Sequence, residues 1–297
     1  MSTTVATNSL DKILTSTHLP ALPQTAIALL QLSQSSESGP RDFARPLEAD
    51  PGLTGQVLRF VNSSHFGFSR EISSVQQALT LVGTRTITNF ALWNAVFSVV
   101  PNPRLGQFDL KALWADSLRR AVFARKLGKA MRLADAEDLF AAALLQDMAI
   151  PLLLKFMPAE YNILMSRRSE GQLRLSQLER QTFGWDHAEA ASRLVKTWKL
   201  PDTFAHLIEN HTQLELLLQT GSNGYGQSCV ALASLLPDGT TDDWRERNEF
   251  LAGFDRLTAG QAGNLKTLFQ ETDEDAAQFA PLLKLVLPKK TLVQHLG

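Results

Sequence analysis

Cysteine is nearly missing from this sequence: Cys229 is the single cysteine among 297 residues. One thiol excludes an internal disulfide bond, and this cysteine usage fits a reducing compartment. Cys229 precedes the apolar run Val230-Ala231-Leu232. That context predicts a small buried residue rather than a reactive one.

An excess of charge of one sign is also lacking, because 29 basic and 30 acidic residues give a net charge of −1. This balance argues against a broad electrostatic surface for nucleic acid or anionic membrane. No apolar stretch approaches the ~20 residues that cross a bilayer. The first eight residues have neither the basic start nor the apolar segment of a secretory signal. We therefore expect a cytoplasmic protein without a membrane partner.

Strand-like alternation is almost absent as well, whereas apolar residues recur at helical spacing along the chain. In one clear case Asp50 can cap a helix, and Pro51 suits its first position. The apolar face that follows is formed by Leu53, Val57, Leu58 and Val61. The predicted fold class is all-α.

Two further helices are expected soon after this one. Ser73 or Ser74 can form a capping box with Gln76 or Gln77, and Gly83 is a natural terminator. Thr84 can then cap a third helix. These three helices form a compact module with no obvious reacting group.

Four sequence motifs together carry a family resemblance. They are Leu19-Pro20-x-Leu22-Pro23, Asp50-Pro51-x-Leu53, Asn62-Ser63, and Ile72-Ser73-Ser74-Val75-x-x-Ala78-x-x-Leu81-Val82-Gly83. In this combination the chain resembles the HDOD domain of bacterial signalling proteins, from Leu19 to about Leu236. The resemblance implies an all-α, HD-superfamily-like fold, related to HD-type phosphohydrolases but generally without their catalytic metal set. It also implies a regulatory or scaffolding role.

The proline-rich segment Pro101-Asn102-Pro103 is the best break in the chain. We predict two packed helical subdomains with flanking segments: an arm at 1–18, an N-terminal HDOD subdomain at 19–100, an HD-like subdomain at 104–236 and a helical extension at 237–297. The extension alternates acidic stretches with short apolar helices, such as one from Phe279 to Leu287.

The resemblance also places the metal positions of an HD-type phosphohydrolase on this sequence. Such an enzyme gathers histidine and aspartate ligands around a divalent metal, which generates a hydroxide nucleophile and offsets phosphate charge. The expected Trp-x-His reads Trp114-Ala115-Asp116 here, and the signature His-Asp-x-Gly-Lys reads Gln146-Asp147-Met148-Ala149-Ile150. An amide therefore replaces a ligand histidine, and Ile150 replaces a lysine that could contact phosphate.

What persists of the ligand set is Asp147, His187 and His211, with Asn210 directly before the last. These residues could hold a metal with Asp116 as a fourth ligand. The preferred alternative is structural: Asp147 hydrogen-bonds to amides or a histidine, His187 pins or caps a helix, and His211 ends one. We therefore expect no catalytic residue, no metal and no other cofactor, and regard these positions as vestigial.

No other set of reactive side chains stands out. Ser63, Ser64 and His65 adjoin one another, but sequence neighbours seldom form a nucleophile-base pair. Glutamates are scattered over expected solvent faces. The pairs Arg119-Arg120 and Arg167-Arg168 could contact phosphate, although solvated helix faces are the commoner explanation.

The turn after the Asp50 helix is the candidate interaction surface. Its members are Asn62, Ser63, His65, Phe66 and Phe68. Either the two phenylalanines fold into the core and His65 is exposed without a role, or the turn faces a partner.

The predicted function is a non-enzymatic signalling module that binds other proteins. The resemblance implies a bacterial setting such as cyclic-dinucleotide signalling, motility or stress responses, and the residues do not choose among these. The first alternative is a degenerate metal-dependent phosphohydrolase acting on a nucleotide or phosphodiester. The second is a nucleotide or nucleic-acid sensor that uses the arginine-bearing helices. Its binding would weaken steeply with salt.

Overall fold

The computed structural model describes residues 10–11, 13–14, 19–33, 35, 37–64, 66–106, 108–171, 173–241 and 243–297. Within these residues the chain contains helices and no strand, which confirms the all-α prediction. The α-helices are α1 Gln24–Ser33, α2 Pro40–Glu48, α3 Pro51–Val61, α4 Val75–Val82, α5 Thr84–Val99, α6 Leu110–Ala130, α7 Ala136–Leu145, α8 Ala149–Phe156, α9 Pro158–Glu170, α10 Leu175–Phe183, α11 His187–Thr197, α12 Asp202–Glu209, α13 Leu214–Leu217, α14 Tyr225–Ala233, α15 Arg247–Thr258, α16 Leu265–Phe279 and α17 Leu292–Leu296.

The predicted capping residues begin α3 and α4, but the prediction for α5 is wrong, because Thr84 is its first residue and Gly83 is its cap. The Asp50 carboxylate accepts from the Leu53 N–H at 3.0 Å at the start of α3. At the start of α4, Ser74 Oγ accepts from the Gln77 N–H at 3.2 Å. Gly83 follows with φ at +96°, a conformation that a residue with a Cβ adopts at a cost. Local sequence therefore sets the bounds of these helices.

The helix α6 is central to the packing. Trp114 at its start stacks on Phe97 of α5, with 3.7 Å between ring centroids. Phe123 in its middle contacts Phe250 of α15 and Phe269 of α16, with centroids 5.6 and 5.7 Å away. One hydrophobic core therefore contains residues from both predicted subdomains and from the C-terminal extension.

The prediction about bilayer-length apolar sequence is wrong, because residues 136–156 are long and apolar enough to span a membrane. In the fold, 83% of the most apolar window of this stretch is buried inside the protein. The stretch comprises α7 and α8, which are joined by a turn at 146–148. Its hydrophobicity is that of a core segment, and the turn carries Gln146 and Asp147.

The C-terminal extension differs from its prediction too. The residues from Phe279 to Leu287 do not form a helix, because α16 ends at Phe279 and a short 3-10 turn follows over Ala280–Leu283. The acidic stretch expected to lie between helices is instead inside α16. Its acidic residues alternate with a buried face whose members are Leu268, Phe269, Thr272 and Ala276.

Candidate functional site

A cleft of about 550 Å³ opens beside the candidate metal-ligand residues. Its walls come from α6, α9, the starts of α8, α10 and α11, and the segment 238–246. Asp147, His187 and His211 all line it. Helices distant in sequence thus bring the three persisting residues together, as the family resemblance implies.

Asp147 lies at the centre of the cluster and is 5% exposed as a side chain. Its Oδ1 is 3.4 Å from Nε2 of His187 and 3.4 Å from Nε2 of His211. Its Oδ2 accepts from Nη1 of Arg120 in a short charged contact. Burial alone would raise the pKa of Asp147, but Arg120 and the two histidines hold it well below the usual value. Asp147 is therefore ionised and paired with an internal cation.

His187 lies between two carboxylates. Its Nδ1 is 2.6 Å from Oε2 of Glu179, and the same oxygen accepts from the His187 backbone N–H at 2.9 Å. Tyr161 donates its hydroxyl to the other Glu179 oxygen at 2.7 Å. Burial by itself would lower the pKa of His187, but Glu179 and Asp147 raise it to about 10. The ring is therefore an imidazolium at neutral pH.

His211 has a different environment, although its ring is equally close to Asp147. Its Nδ1 is 2.8 Å from the carbonyl oxygen of Ile208. Because a carbonyl can only accept, Nδ1 carries the proton and Nε2 faces Asp147. This Nε2 and Oε1 of Gln146 are buried and make no hydrogen bond within the part of the chain that the structure describes.

Asp186 positions both histidines. Its Oδ1 caps α11 by accepting from the N–H groups of Ala188 and Glu189 at 3.1 and 3.2 Å, and His187 is the first residue of that helix. Its Oδ2 accepts from the Thr212 hydroxyl at 2.7 Å, directly after His211. A single buried carboxylate thus joins the two chain segments that carry the histidines.

The cluster fits a bound metal only in part. Nitrogen or oxygen atoms of Asp147, His187 and His211 lie within 4.8 Å of one another, and these residue types are metal ligands. Arg120, however, already neutralises Asp147, and His187 carries a proton. We conclude that the arrangement is poorly suited to a resident divalent ion.

Asp116 is not part of this cluster, which corrects the four-ligand set of the enzyme alternative. Its two carboxylate oxygens accept from the Gly239 N–H at 3.0 Å, and one is 3.4 Å from Nη2 of Arg119. Burial raises its pKa against the opposing effect of the neighbouring arginines. Asn210 also lies apart, where its side chain accepts from Gln213 Nε2 at 3.3 Å.

Two groups of side chains occupy environments that sequence reasoning missed. Arg119 is buried, and Arg120 is largely buried against Asp147, whereas solvated helix faces were the preferred explanation for both. Glu179 is fully buried, although glutamates were expected on solvent faces. The spacing of residues could have indicated the burial of Glu179. It follows Leu178 and lies one helical turn after Leu175, on the inner side of α10.

The C-terminal extension supplies one wall of the cleft. Arg119 of α6 donates to the carbonyl oxygens of Pro237 and Lys290, at 2.9 and 3.2 Å. Arg245 donates to the carbonyl oxygens of Arg168 and Gly171, at 2.6 and 2.9 Å. Residues 237–297 are therefore anchored to the site, and they help to form it.

The candidate interaction surface contains polar residues that hydrogen-bond to the backbone and phenylalanines that differ in exposure. Asn62 joins the end of α3 to Ile72. Its side chain accepts from the Ile72 N–H and donates to the Ile72 carbonyl, both at 2.8 Å. Ser63 donates to the Phe60 carbonyl at 2.7 Å. Phe66 packs edge-on against Phe60 and is partly buried, while Phe68 is 38% exposed. His65 lies outside the described residues.

Comparison with known proteins matches the HDOD domain family to residues 19–214. A curated relative, an uncharacterized protein of Treponema pallidum (strain Nichols), is 25% identical over 199 residues. That match covers 66% of this chain, which spans only 38% of the relative's length.

Several solved structures are similar in fold. An HDOD domain protein of unknown function from Geobacter sulfurreducens gives a TM-score of 0.73 at 20% identity, covering 94% of this chain and 97% of its own. A candidate phosphohydrolase from Shewanella amazonensis gives a TM-score of 0.68 at 22% identity, and the match covers 93% of this chain and 98% of that protein. A candidate signal transduction protein from Marinobacter aquaeolei gives a TM-score of 0.63 at 18% identity, and the match covers 92% of this chain and 61% of that protein. The family match ends short of the predicted limit at Leu236, but it covers the N-terminal subdomain, most of the HD-like subdomain and every member of the Asp-His cluster, and the chain belongs to the HDOD domain family.

Proposed function

We propose that this chain is a non-enzymatic signal-transduction module of the HDOD family that acts by binding other proteins. The observation that carries the proposal is the contact between Arg120 and Asp147. A guanidinium neutralises the carboxylate but has no coordination position for water, so it cannot generate a hydroxide nucleophile as a metal does. Gln146 and Ile150 at the signature positions support the same conclusion. Similarity of fold to candidate phosphohydrolases does not decide whether this chain is an enzyme, because one fold supports many functions.

Elemental analysis tests the non-enzymatic part of the proposal. Protein purified without chelator is expected to hold far less than one divalent ion per chain, because Arg120 already compensates Asp147. With added Mn²⁺ or Ni²⁺, hydrolysis of bis(p-nitrophenyl) phosphate is expected to equal that of the Asp147→Ala variant. Stoichiometric metal and hydrolysis that are both lost in Asp147→Ala would contradict the proposal.

One observation favours the second candidate, a metal-dependent phosphohydrolase. Oε1 of Gln146 is a buried acceptor without a hydrogen bond in the described part of the chain, and Nε2 of His211 is also buried there without one. Such atoms carry a desolvation cost that a bound cation would offset. The same elemental analysis separates the two candidates, since an ion held by these atoms would be retained during purification.

Phe68 is the residue that we expect to contact a protein partner. Its ring stacks on Phe66 with centroids 6.2 Å apart and remains partly exposed. Aromatic anchors of this kind contribute strongly to interfaces. Together with Phe66 it forms an aromatic pair on the turn that follows α3.

Affinity capture from native lysate tests this contact surface. Phe68→Ala is expected to weaken capture of specific partners by about 30-fold or more, corresponding to ~2 kcal/mol at an interface anchor. The control is Leu216→Ala on α13, which removes another exposed apolar side chain, 51% exposed. Equal capture by wild type, Phe68→Ala and Leu216→Ala would remove the turn from the proposed interface.

A further inference from the structure

Arg174 is a cleft-lining cation that no carboxylate pairs with among the described residues. Its Nη2 donates to the hydroxyl of Ser234 at 2.9 Å. Ser234 in turn donates to a backbone carbonyl, either that of His211 at 2.9 Å or that of Ala231 at 2.7 Å. Burial lowers the pKa of Arg174 against the opposing charges of Glu249 and Glu246. The guanidinium is thus held beside the Asp-His cluster with donor capacity left over.

The helix α10 begins directly after Arg174 and presents further donors to the same cleft. Its first turn contains no acidic residue. The N–H groups of Leu175 and Ser176 make no hydrogen bond within the described part of the chain, as expected for the first residues of a helix. Free amides at this end carry partial positive charge and bind anions.

The side chain of Ser176 is a second and independent sign of a missing ligand. This residue is 4% exposed and lines the cleft. Its hydroxyl makes no hydrogen bond to another described residue. The hydroxyl is not among the fully buried unpaired side-chain atoms of the described residues, so it opens to the cleft, where a ligand oxygen can bind it.

Two carboxylates near Arg174 are paired with other arginines, and Glu249 acts on Arg174 without an ion pair among the described residues. Asp147 is paired with Arg120, and Glu246 with Nη2 of Arg168 at 2.7 Å. Asp238 accepts from the Thr240 N–H at 3.1 Å and from the Thr240 hydroxyl at 2.8 Å. Arg174 is thus left at the start of α10 as a cation whose side-chain hydrogen bond among the described residues is to a neutral hydroxyl.

We propose that the guanidinium of Arg174, the hydroxyl of Ser176 and the free amides that begin α10 form a binding subsite for the phosphate of a nucleotide-sized molecule. A guanidinium and convergent N–H donors match the several oxygens of a phosphate. A cleft of about 550 Å³ is within the usual range for small-molecule sites. Apolar side chains for a base or similar ring are present in its walls, among them Phe108, Leu113 and Ile150.

This inference goes beyond the proposed function and does not depend on it. A protein-binding module can carry such a subsite for a small regulatory ligand, and an enzyme would use it for its substrate. The residues involved are separate from Asp147, His187 and His211. Phosphate release measured in the binding samples therefore reports on the proposed function, while affinity reports on the subsite.

Isothermal titration calorimetry on the full chain tests the subsite with AMP, GMP, inorganic phosphate and adenosine as probes. AMP or GMP is expected to bind with a Kd below about 1 mM, and adenosine is expected not to bind, because it lacks the phosphate. Arg174→Gln is expected to weaken nucleotide binding at least ~10-fold and Ser176→Ala about 3-fold, as loss of charged and neutral hydrogen bonds predicts.

The matched control is Arg167→Gln, which removes the same charge from an exposed position on α9. It is expected to bind like wild type, and unchanged thermal unfolding midpoints would show that all variants are folded. The proposal is overturned if no probe binds at millimolar concentration, if adenosine binds as tightly as AMP, or if Arg167→Gln and Arg174→Gln weaken binding equally.

Discussion

Replacing Arg120 with methionine is expected to lower the free energy of unfolding at pH 7 by about 3–5 kcal/mol. The side chains of Arg120 and Asp147 are 13% and 5% exposed, so the variant leaves a buried carboxylate without its main counter-charge. Methionine keeps most of the buried apolar volume of the arginine stem. Urea unfolding monitored by circular dichroism would measure the loss.

Two control variants separate this pair from a general effect of charge. Arg256→Met breaks a contact with Glu215 at 2.7 Å, and both side chains of that pair are exposed, by 50% and 71%. Its cost should be below about 1 kcal/mol, as is usual for exposed pairs. Adding Asp147→Asn to Arg120→Met should restore much of the stability, because no buried charge is then left unpaired. A small effect of Arg120→Met with no recovery in the double variant would contradict this account.

The stability of the protein is expected to fall as the pH rises from about 7 to 10, and His187 is the group responsible. Its pKa is about 10 in the folded state and about 6.5 in an unfolded chain. Below 6.5 both states bind the proton and the full stabilisation is present. Between the two values only the folded state binds it, so stability decreases by about 1.4 kcal/mol per pH unit. Urea unfolding at several pH values would measure this slope.

The His187→Gln variant removes the titrating ring and should flatten the pH dependence over that range. His206→Gln is the matched control, since His206 is exposed and the same substitution there should keep the wild-type slope. Glu179→Gln should also reduce the slope, because Glu179 is the strongest contributor that raises the His187 pKa. An equal slope in wild type and His187→Gln would show that other groups govern the dependence.

The N-terminal helices could be predicted because their signals are local. Asp50, Ser74 and Gly83 act on backbone groups within a few residues, so sequence spacing alone places them. The extension was predicted less well. Acidic residues inside α16 resemble a loop in composition, and only packing of its inner face shows that they belong to a helix.

The site was predicted in its residue types but not in its electrostatics. The resemblance pointed to Asp147, His187 and His211, which the fold brings together. It did not predict that Arg120 would pair with Asp147, or that Glu179 would hold His187. Both contacts join residues that lie in separate helices, and the charge of a side chain does not reveal whether it faces water.

The sequence by itself determined the helical class, the caps of α3 and α4, the family and the missing histidine at Gln146. Only the tertiary structure decided that Arg120 turns inward as the counter-charge of Asp147 and that Arg174 opens onto the same cleft without a carboxylate. The physical reason is that burial and charge pairing depend on which helices pack together. These properties arise from contacts across the chain, whereas periodicity and capping arise within a few residues.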